Sequence, residues 1–179
     1  MAYLESTSGA NLSVAQSVTG TAASTNVFDV TGAGAGNAPA MIGAGGVNTA
    51  LGYDIGGGEG VATPQVLISI SAVTTVTGTL TVALQAAPDN GSYSPGTYVT
   101  IFQSAALTGA TQLFVGQLYV FPIPPIPKGL FTGDALARFY RLNYTVGSSI
   151  SLVLSASILI NGALPYENQL YGNNFPAGL

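Results

Sequence analysis

Ser149–Ile160 reads SISLVLSASILI, and this run constrains the fold more than any other. It lies in a stretch of 25 residues, Leu142–Tyr166, that carries no charge. Length alone would allow a transmembrane helix. The pattern does not. Ile150, Leu152, Leu154, Ala156, Ile158 and Ile160 share one parity, and Ser149, Ser151, Ser155 and Ser157 share the other. A period of two marks a half-buried strand, because successive side chains point to opposite faces of a sheet. A helix would scatter the serines around its circumference. The expectation is a β-protein that does not cross a membrane.

The same alternation recurs upstream. Val66, Ile68 and Ile70 alternate with Leu67, Ser69 and Ser71. Leu80, Val82 and Leu84 alternate with Thr79, Thr81 and Ala83. Leu12, Val14, Gln16 and Val18 share a phase in Asn11–Val18, and Thr25–Val30 reads as a short strand after a small-residue turn at Thr19–Ser24. Tyr98–Phe102 and Leu113–Phe121 complete the upstream set. Asp89-Asn90-Gly91 and Pro95-Gly96 mark turns. Pro122–Gly129, PIPPIPKG, cannot donate to a ladder and reads as a stiff extended connection. About eight strands with almost no amphipathic helix indicate a single antiparallel β-sandwich of jelly-roll type, spanning residues 11–160.

Three segments fall outside that pattern. Residues 1–10 read as a polar N-terminal arm. Thr31–Gly60 is dominated by Gly and Ala, keeps neither period, and reads as an excursion between strands. Asn161–Leu179 reads as a C-terminal extended arm. Its Tyr166, Leu170, Tyr171 and Phe175 gain from burial, about 1.5–3 kcal/mol each, and an arm has little core of its own. Those four residues are candidate contacts to a neighbouring subunit.

Composition narrows the chemistry. Charged residues are 6% of the 179, the net charge is −4, and the chain holds no His, Cys or Trp. Three cations cannot neutralise a phosphate backbone, so nucleic acid is not an expected partner. Without His or Cys, the commonest general base, transition-metal ligand and thiolate chemistry are gone. Serine and threonine have no histidine to activate them, and the one lysine, Lys128, sits in the proline run. Asp54 and Glu59 lie in the Gly-rich excursion, Asp89 belongs to its turn, and Asp134 in FTGD closes or caps another. No phosphate loop, dinucleotide fingerprint or calcium loop is complete. The expected function is non-catalytic, with no cofactor and no metal. Met1–Ala10 has neither a basic nor an apolar region of a secretory leader, so synthesis in the cytoplasm is expected. So low a charge also suits a subunit whose surface is covered by partners.

Two of the three cations stand in ARFYRLNYTV, Ala137–Val146. Parity gives Tyr140, Leu142, Tyr144 and Val146 to the core, and Phe139, Arg141, Asn143 and Thr145 to the outer face. Arg138 has core parity but lies at the strand's start, where it can close the end of the sandwich against a loop carbonyl or Asp134. Arg138 and Asp134 are therefore candidate structural charges. Arg141 stands mid-strand on the outer face, a candidate subunit contact or one half of an intrachain salt bridge. The two guanidinium groups cannot form one patch.

TAASTNVFDV (Thr21–Val30), LTVALQAAPDNGSY (Leu80–Tyr93), and PIPPIPKG followed by RFYRLNYTVG (Arg138–Gly147) resemble a family of tailed-phage capsid cement proteins. It is the family typified by the cement protein of a Bordetella phage. The resemblance covers roughly Leu12–Ile160. It implies a jelly-roll subunit that forms homotrimers on the outer capsid surface and clamps adjacent major capsid proteins, as a virion component made in the host cytoplasm. The excursion and the tail are longer than the family pattern implies. A carbohydrate-binding jelly roll, such as an adhesin or receptor-binding head, is the alternative, with Tyr93, Tyr98, Tyr166 and Tyr171 as candidate stacking residues. A shell-forming jelly-roll protein fits less well, since the chain has no basic arm.

Overall fold

The computed structural model describes residues 11–30, 64–92, 94–127 and 129–159, the side chains of Ala110 and Asp134 excepted. The expected N-terminal arm, Gly-rich excursion and C-terminal arm, and with them Tyr166, Leu170, Tyr171 and Phe175, lie outside the described residues.

Among the described residues, ten strands run in the order β1 (Asn11–Val18), β2 (Ala22–Ala23), β3 (Phe28–Asp29), β4 (Gln65–Val76), β5 (Thr79–Ala87), β6 (Val99–Gln103), β7 (Leu107–Thr108), β8 (Leu118–Pro122), β9 (Phe139–Val146) and β10 (Ile150–Leu159). A single-turn helix, α1 (Gly109–Gln112), follows β7. One sheet has the order β1-β10-β4-β8. The other has the order β2-β9-β5-β6, with β3 also on β9 and β7 also on β5. Every pairing is antiparallel. The fold is all-β, an antiparallel sandwich.

The long strands follow their sequence periods. Ile150, Leu152, Leu154, Ala156 and Ile158 are buried, and the intervening Ser151, Val153, Ser155 and Ser157 are half-buried. In register with them are Val66, Ile68 and Ile70 of β4. From the second sheet, Leu80, Val82 and Leu84 of β5 and Tyr140, Leu142 and Tyr144 of β9 join the same core cluster. Each such Val, Leu or Ile side chain contributes about 1.5–3 kcal/mol by leaving water. Where edge strands β6 and β8 meet across the sheets, Phe102 and Phe121 close the side, their ring centroids 5.3 Å apart and tilted by 42°.

One polar connection crosses the apolar layer. Tyr144 of β9 and Ser13 of β1 are both buried, with their oxygens 2.8 Å apart. Ser13 donates its hydroxyl proton to Gln16 Oε1 at 2.7 Å, so Tyr144 is the donor to Ser13. Gln16 Nε2 in turn donates to the Ala23 carbonyl at 2.8 Å. The relay satisfies each buried group it passes through and fixes β1 against the second sheet.

Three local expectations are corrected. Val14 is 60% exposed rather than in phase with Leu12 and Val18. Register shifts between Asn11 and Ser13 and between Ser13 and Gln16, with Ala15 at φ 45°, bulge the strand, turn Val14 outward and bring Ser13 in. Leu113–Phe121 is not one strand. The strand is confined to Leu118–Pro122, because α1 and a turn at Gly116 (φ 87°) precede it, although Gly116 and Gln117 already exchange backbone hydrogen bonds with Ile70. The small-residue turn contains a short strand, Ala22–Ala23, opposite Tyr144 and Asn143, and pairing within Thr25–Val30 is confined to Phe28–Asp29.

Residues 11, 30, 64 and 159, which border segments 1–10, 31–63 and 160–179, share one end of the sandwich. Asn11 pairs with Ser157, and Gln65, next to Pro64, pairs with both Leu159 and Pro122. In the other sheet, the Val30 N–H donates to the Arg138 carbonyl at 3.0 Å, and Asn26 N–H donates to the Leu12 carbonyl at 2.9 Å. Residues 11, 30, 64 and 159 therefore lie together. The opposite end is built from the β4–β5 and β9–β10 turns, where Thr77 N–H meets the Ser149 carbonyl at 3.1 Å.

Candidate functional site

Arg138 sits at that shared end, just before β9. Its N–H donates to the Ala87 carbonyl at 2.9 Å and its carbonyl accepts from Val30 N–H, so its backbone extends the pairing of β9 with β5 on one side and β3 on the other. Its side chain holds two carboxylates. Nε donates to Asp29 Oδ1 and Nη2 to Asp29 Oδ2, both at 3.0 Å, and Nη1 donates to Asp89 Oδ2. Asp29 is fully buried, the Arg138 side chain is 11% exposed, and that of Asp89 is 29% exposed. Hydrogen bonding to the Asp29 carboxylate pushes the Arg138 guanidinium up from its ordinary value, against the opposing effect of burial. The guanidinium carbon also lies 4.9 Å from the centre of the Phe139 ring.

Asp89 does two jobs. Its Oδ1 accepts from Gly91 N–H at 2.9 Å, which makes the turn expected at Asp89-Asn90-Gly91, and its Oδ2 faces Arg138. Arg138 thus closes the end of the sandwich, but against Asp29 and Asp89. The Asp134 backbone lies in a 3₁₀ turn, Thr132–Asp134, and its side chain is outside the described residues. Sequence reading missed Asp29. The available signal was an acid inside the short apolar run VFDV, where a buried carboxylate needs a cation. Beside the ion pairs, Val30, Ala135, Leu136 and Ala137 line a shallow open depression with Asp89 and Arg138, and Leu136 is 85% exposed.

Arg141 lies on the other side of the same strand, as parity requires. It is in register with Gln85 of β5, and its Nε donates to Gln85 Oε1 at 2.8 Å. Its guanidinium carbon stands over the Tyr98 ring, 3.7 Å from the ring centre. Among the described residues no carboxylate pairs with Arg141. The Tyr98 hydroxyl oxygen is buried and, among the described residues, has no hydrogen-bond partner. Burial pushes the Tyr98 hydroxyl up from the ordinary tyrosine value, and the Arg141 charge acts against this. With Arg141 over its face, Tyr98 does not offer that face to a sugar ring. The other candidate stacking residues, Tyr93, Tyr166 and Tyr171, lie outside the described residues, as does Lys128.

Among the described residues, no group of three or more His, Cys, Asp or Glu is placed to hold a metal ion, and no helix is long and apolar enough to cross a membrane. What the arrangement offers is a β-body with one guanidinium spent internally and one displayed on a sheet face.

A family model described as Bbp16 matches residues 12–153. The chain belongs to the Bbp16 family. This is a Bordetella phage protein family, in agreement with the resemblance drawn from Thr21–Val30, Leu80–Tyr93 and Arg138–Gly147. Membership of the Bbp16 family points to a phage structural protein and a virion component. The matched span runs from β1 into β10 and contains Asp29, Asp89, Arg138 and Arg141. No curated protein matches the chain.

Proposed function

We propose that the chain is a non-catalytic capsid cement protein that forms a homotrimer on the outer capsid surface and clamps adjacent major capsid proteins. The observation that carries this reading is the shared end of the sandwich. Residues 11, 30, 64 and 159 lie there together, so segments 1–10, 31–63 and 160–179 all join the β-body on one side. A β-body with these three segments rooted at one end suits a clip that reaches over a lattice seam. Binding the intact lattice and not its separated parts stabilises the shell by linkage. Three-fold multiplicity turns modest contacts into a strong attachment.

A jelly-roll connectivity belongs to the same reading. Strand order supports it: the chain passes from the β1 sheet to the other at β2, back at β4, across at β5, back at β8, across at β9 and back at β10. The test of function is light scattering on the purified protein, followed by incubation with empty phage heads. The expected result is a trimer that sediments with heads, and loss of trimer formation or head binding when 161–179 is deleted. A monomer that ignores heads overturns the proposal.

A further inference from the structure

We infer that Arg141 is an interchain anchor that receives a carboxylate from a second copy of this chain. The inference rests on the trimer reading above and names the chemistry of one of its contacts.

The guanidinium is held ready for such a partner. One of its five N–H donors is fixed by Gln85 Oε1, and its carbon stands 3.7 Å from the centre of the Tyr98 ring. A planar group fixed on two sides loses little freedom on docking, which is the usual cost of using a long cationic side chain. None of the four Nη hydrogens is donated to another described residue. The surroundings are uncharged. Ala83, Asn143 and Thr145 share the outer face with Gln85 and Arg141, and Thr100 of β6 lies next to Gln85. An exposed carboxylate approaching this face meets one fixed positive charge and amide or hydroxyl groups around it.

Charge complementarity points to a second copy. The chain has seven acids, of which Asp29 and Asp89 are held by Arg138. Glu5, Asp54, Glu59, Asp134 and Glu167 remain, against one guanidinium without a described carboxylate. By count, each copy of the chain carries five further acids and one prepared receptor for a carboxylate. A closed ring of identical subunits repeats that contact at every interface. Tyr98, whose hydroxyl is buried without a described partner, lies directly beneath the proposed contact.

The experiment measures self-association of the full chain by light scattering across protein and salt concentration. Arg141→Glu is expected to weaken it by about thirtyfold or more, the scale seen when one member of a desolvated charge pair is removed. Arg141→Lys, which keeps the charge and loses the fork, should be intermediate. Melting and circular dichroism of each variant show that the β-body is intact; should Arg141→Glu not fold, Arg141→Gln replaces it. Changing one of the five acids to Lys should restore assembly of the Arg141→Glu chain. Wild-type association should weaken with added NaCl, and that of Arg141→Gln much less. Unchanged self-association in Arg141→Glu overturns the inference. So does a wild-type chain that binds heads as a monomer, a result that leaves attachment to the capsid standing. Failure of wild type to bind heads sinks the cement reading instead, while the salt and variant series still decides Arg141.

Discussion

Arg138 holds Asp29 through two parallel hydrogen bonds of 3.0 Å, and the carboxylate it holds is sealed from solvent. Asp29 belongs to β3, a strand of only two residues on the edge of its sheet. So short a strand brings few ladder bonds of its own. The ion pair supplies what the ladder lacks, and Asp89 extends the connection to the turn after β5. Arg138 thereby fixes the end of the sandwich at Val30.

Arg138→Met should destabilise the fold by about 3–5 kcal/mol, because it leaves Asp29 buried without its guanidinium. Asp89→Asn should cost only about 0.5–1 kcal/mol, since its side chain is 29% exposed and the lost charge is screened. Urea unfolding of the two variants checks the order. Equal losses would show that the two carboxylates carry similar weight.

The relay from Tyr144 through Ser13 to Gln16 makes a different prediction, about coupling. Ser13→Ala leaves the buried Tyr144 hydroxyl without its acceptor and should cost about 1–3 kcal/mol. Tyr144→Phe removes the donor and should cost about 0.5–1.5 kcal/mol. The double variant should cost less than the sum of the two, because no orphaned hydroxyl remains. Additive losses in a double-mutant cycle would show that the contact between the sheets adds nothing beyond its parts.

Buried tyrosines also set an alkaline limit. Burial pushes the Tyr140 hydroxyl up to about 12 from 10.0, and pushes that of Tyr144 up as well, against the lowering effect of Ser13. A raised folded value means that the neutral form is favoured in the native state. The associated stability is complete below the unfolded value near 10 and is lost as pH rises through the folded value. For Tyr140 this amounts to about 2–3 kcal/mol. Melting temperature should therefore fall above about pH 10, and Tyr144→Phe should flatten that fall. In an ultraviolet titration, Tyr140 and Tyr144 should ionise at higher pH in the folded chain than in the unfolded one.

What could be read without coordinates follows from range. The phases of β4, β5 and β10 were legible because period-two alternation is a local property of a long strand between two environments. β1 was misread at Val14, since its bulge places an alanine, Ala15, in the left-handed region, and nothing in the residue type announces that. The opposite facing of Arg138 and Arg141 was legible from parity. Their partners were not. Asp29 lies 109 residues from Arg138, and Gln85 lies 56 residues from Arg141. Spacing within one strand cannot reveal a contact made by the register of another.

The turn at Gly78 provides a steric test of how the far end is built. A Cβ on Gly78 would lie 2.6 Å from Ser148 Oγ and 2.9 Å from the Ser148 carbonyl carbon. The hydroxyl can rotate away, but the backbone carbon cannot. It belongs to a turn fixed on both sides, by Gly147 N–H to the Thr79 carbonyl at 2.9 Å and by Thr77 N–H to the Ser149 carbonyl at 3.1 Å. Gly78→Ala must push the β4–β5 and β9–β10 turns apart and should cost about 1–3 kcal/mol. Gly20→Ala is the control, because nothing lies within 4 Å of its added methyl and its backbone is not in the left-handed region. There the loss of freedom in the unfolded chain should make the change neutral, or stabilising by up to about 1 kcal/mol. Denaturant midpoints at unchanged slope decide the comparison. If Gly78→Ala is as mild as Gly20→Ala, the two turns are not in the close contact on which this end of the sandwich depends.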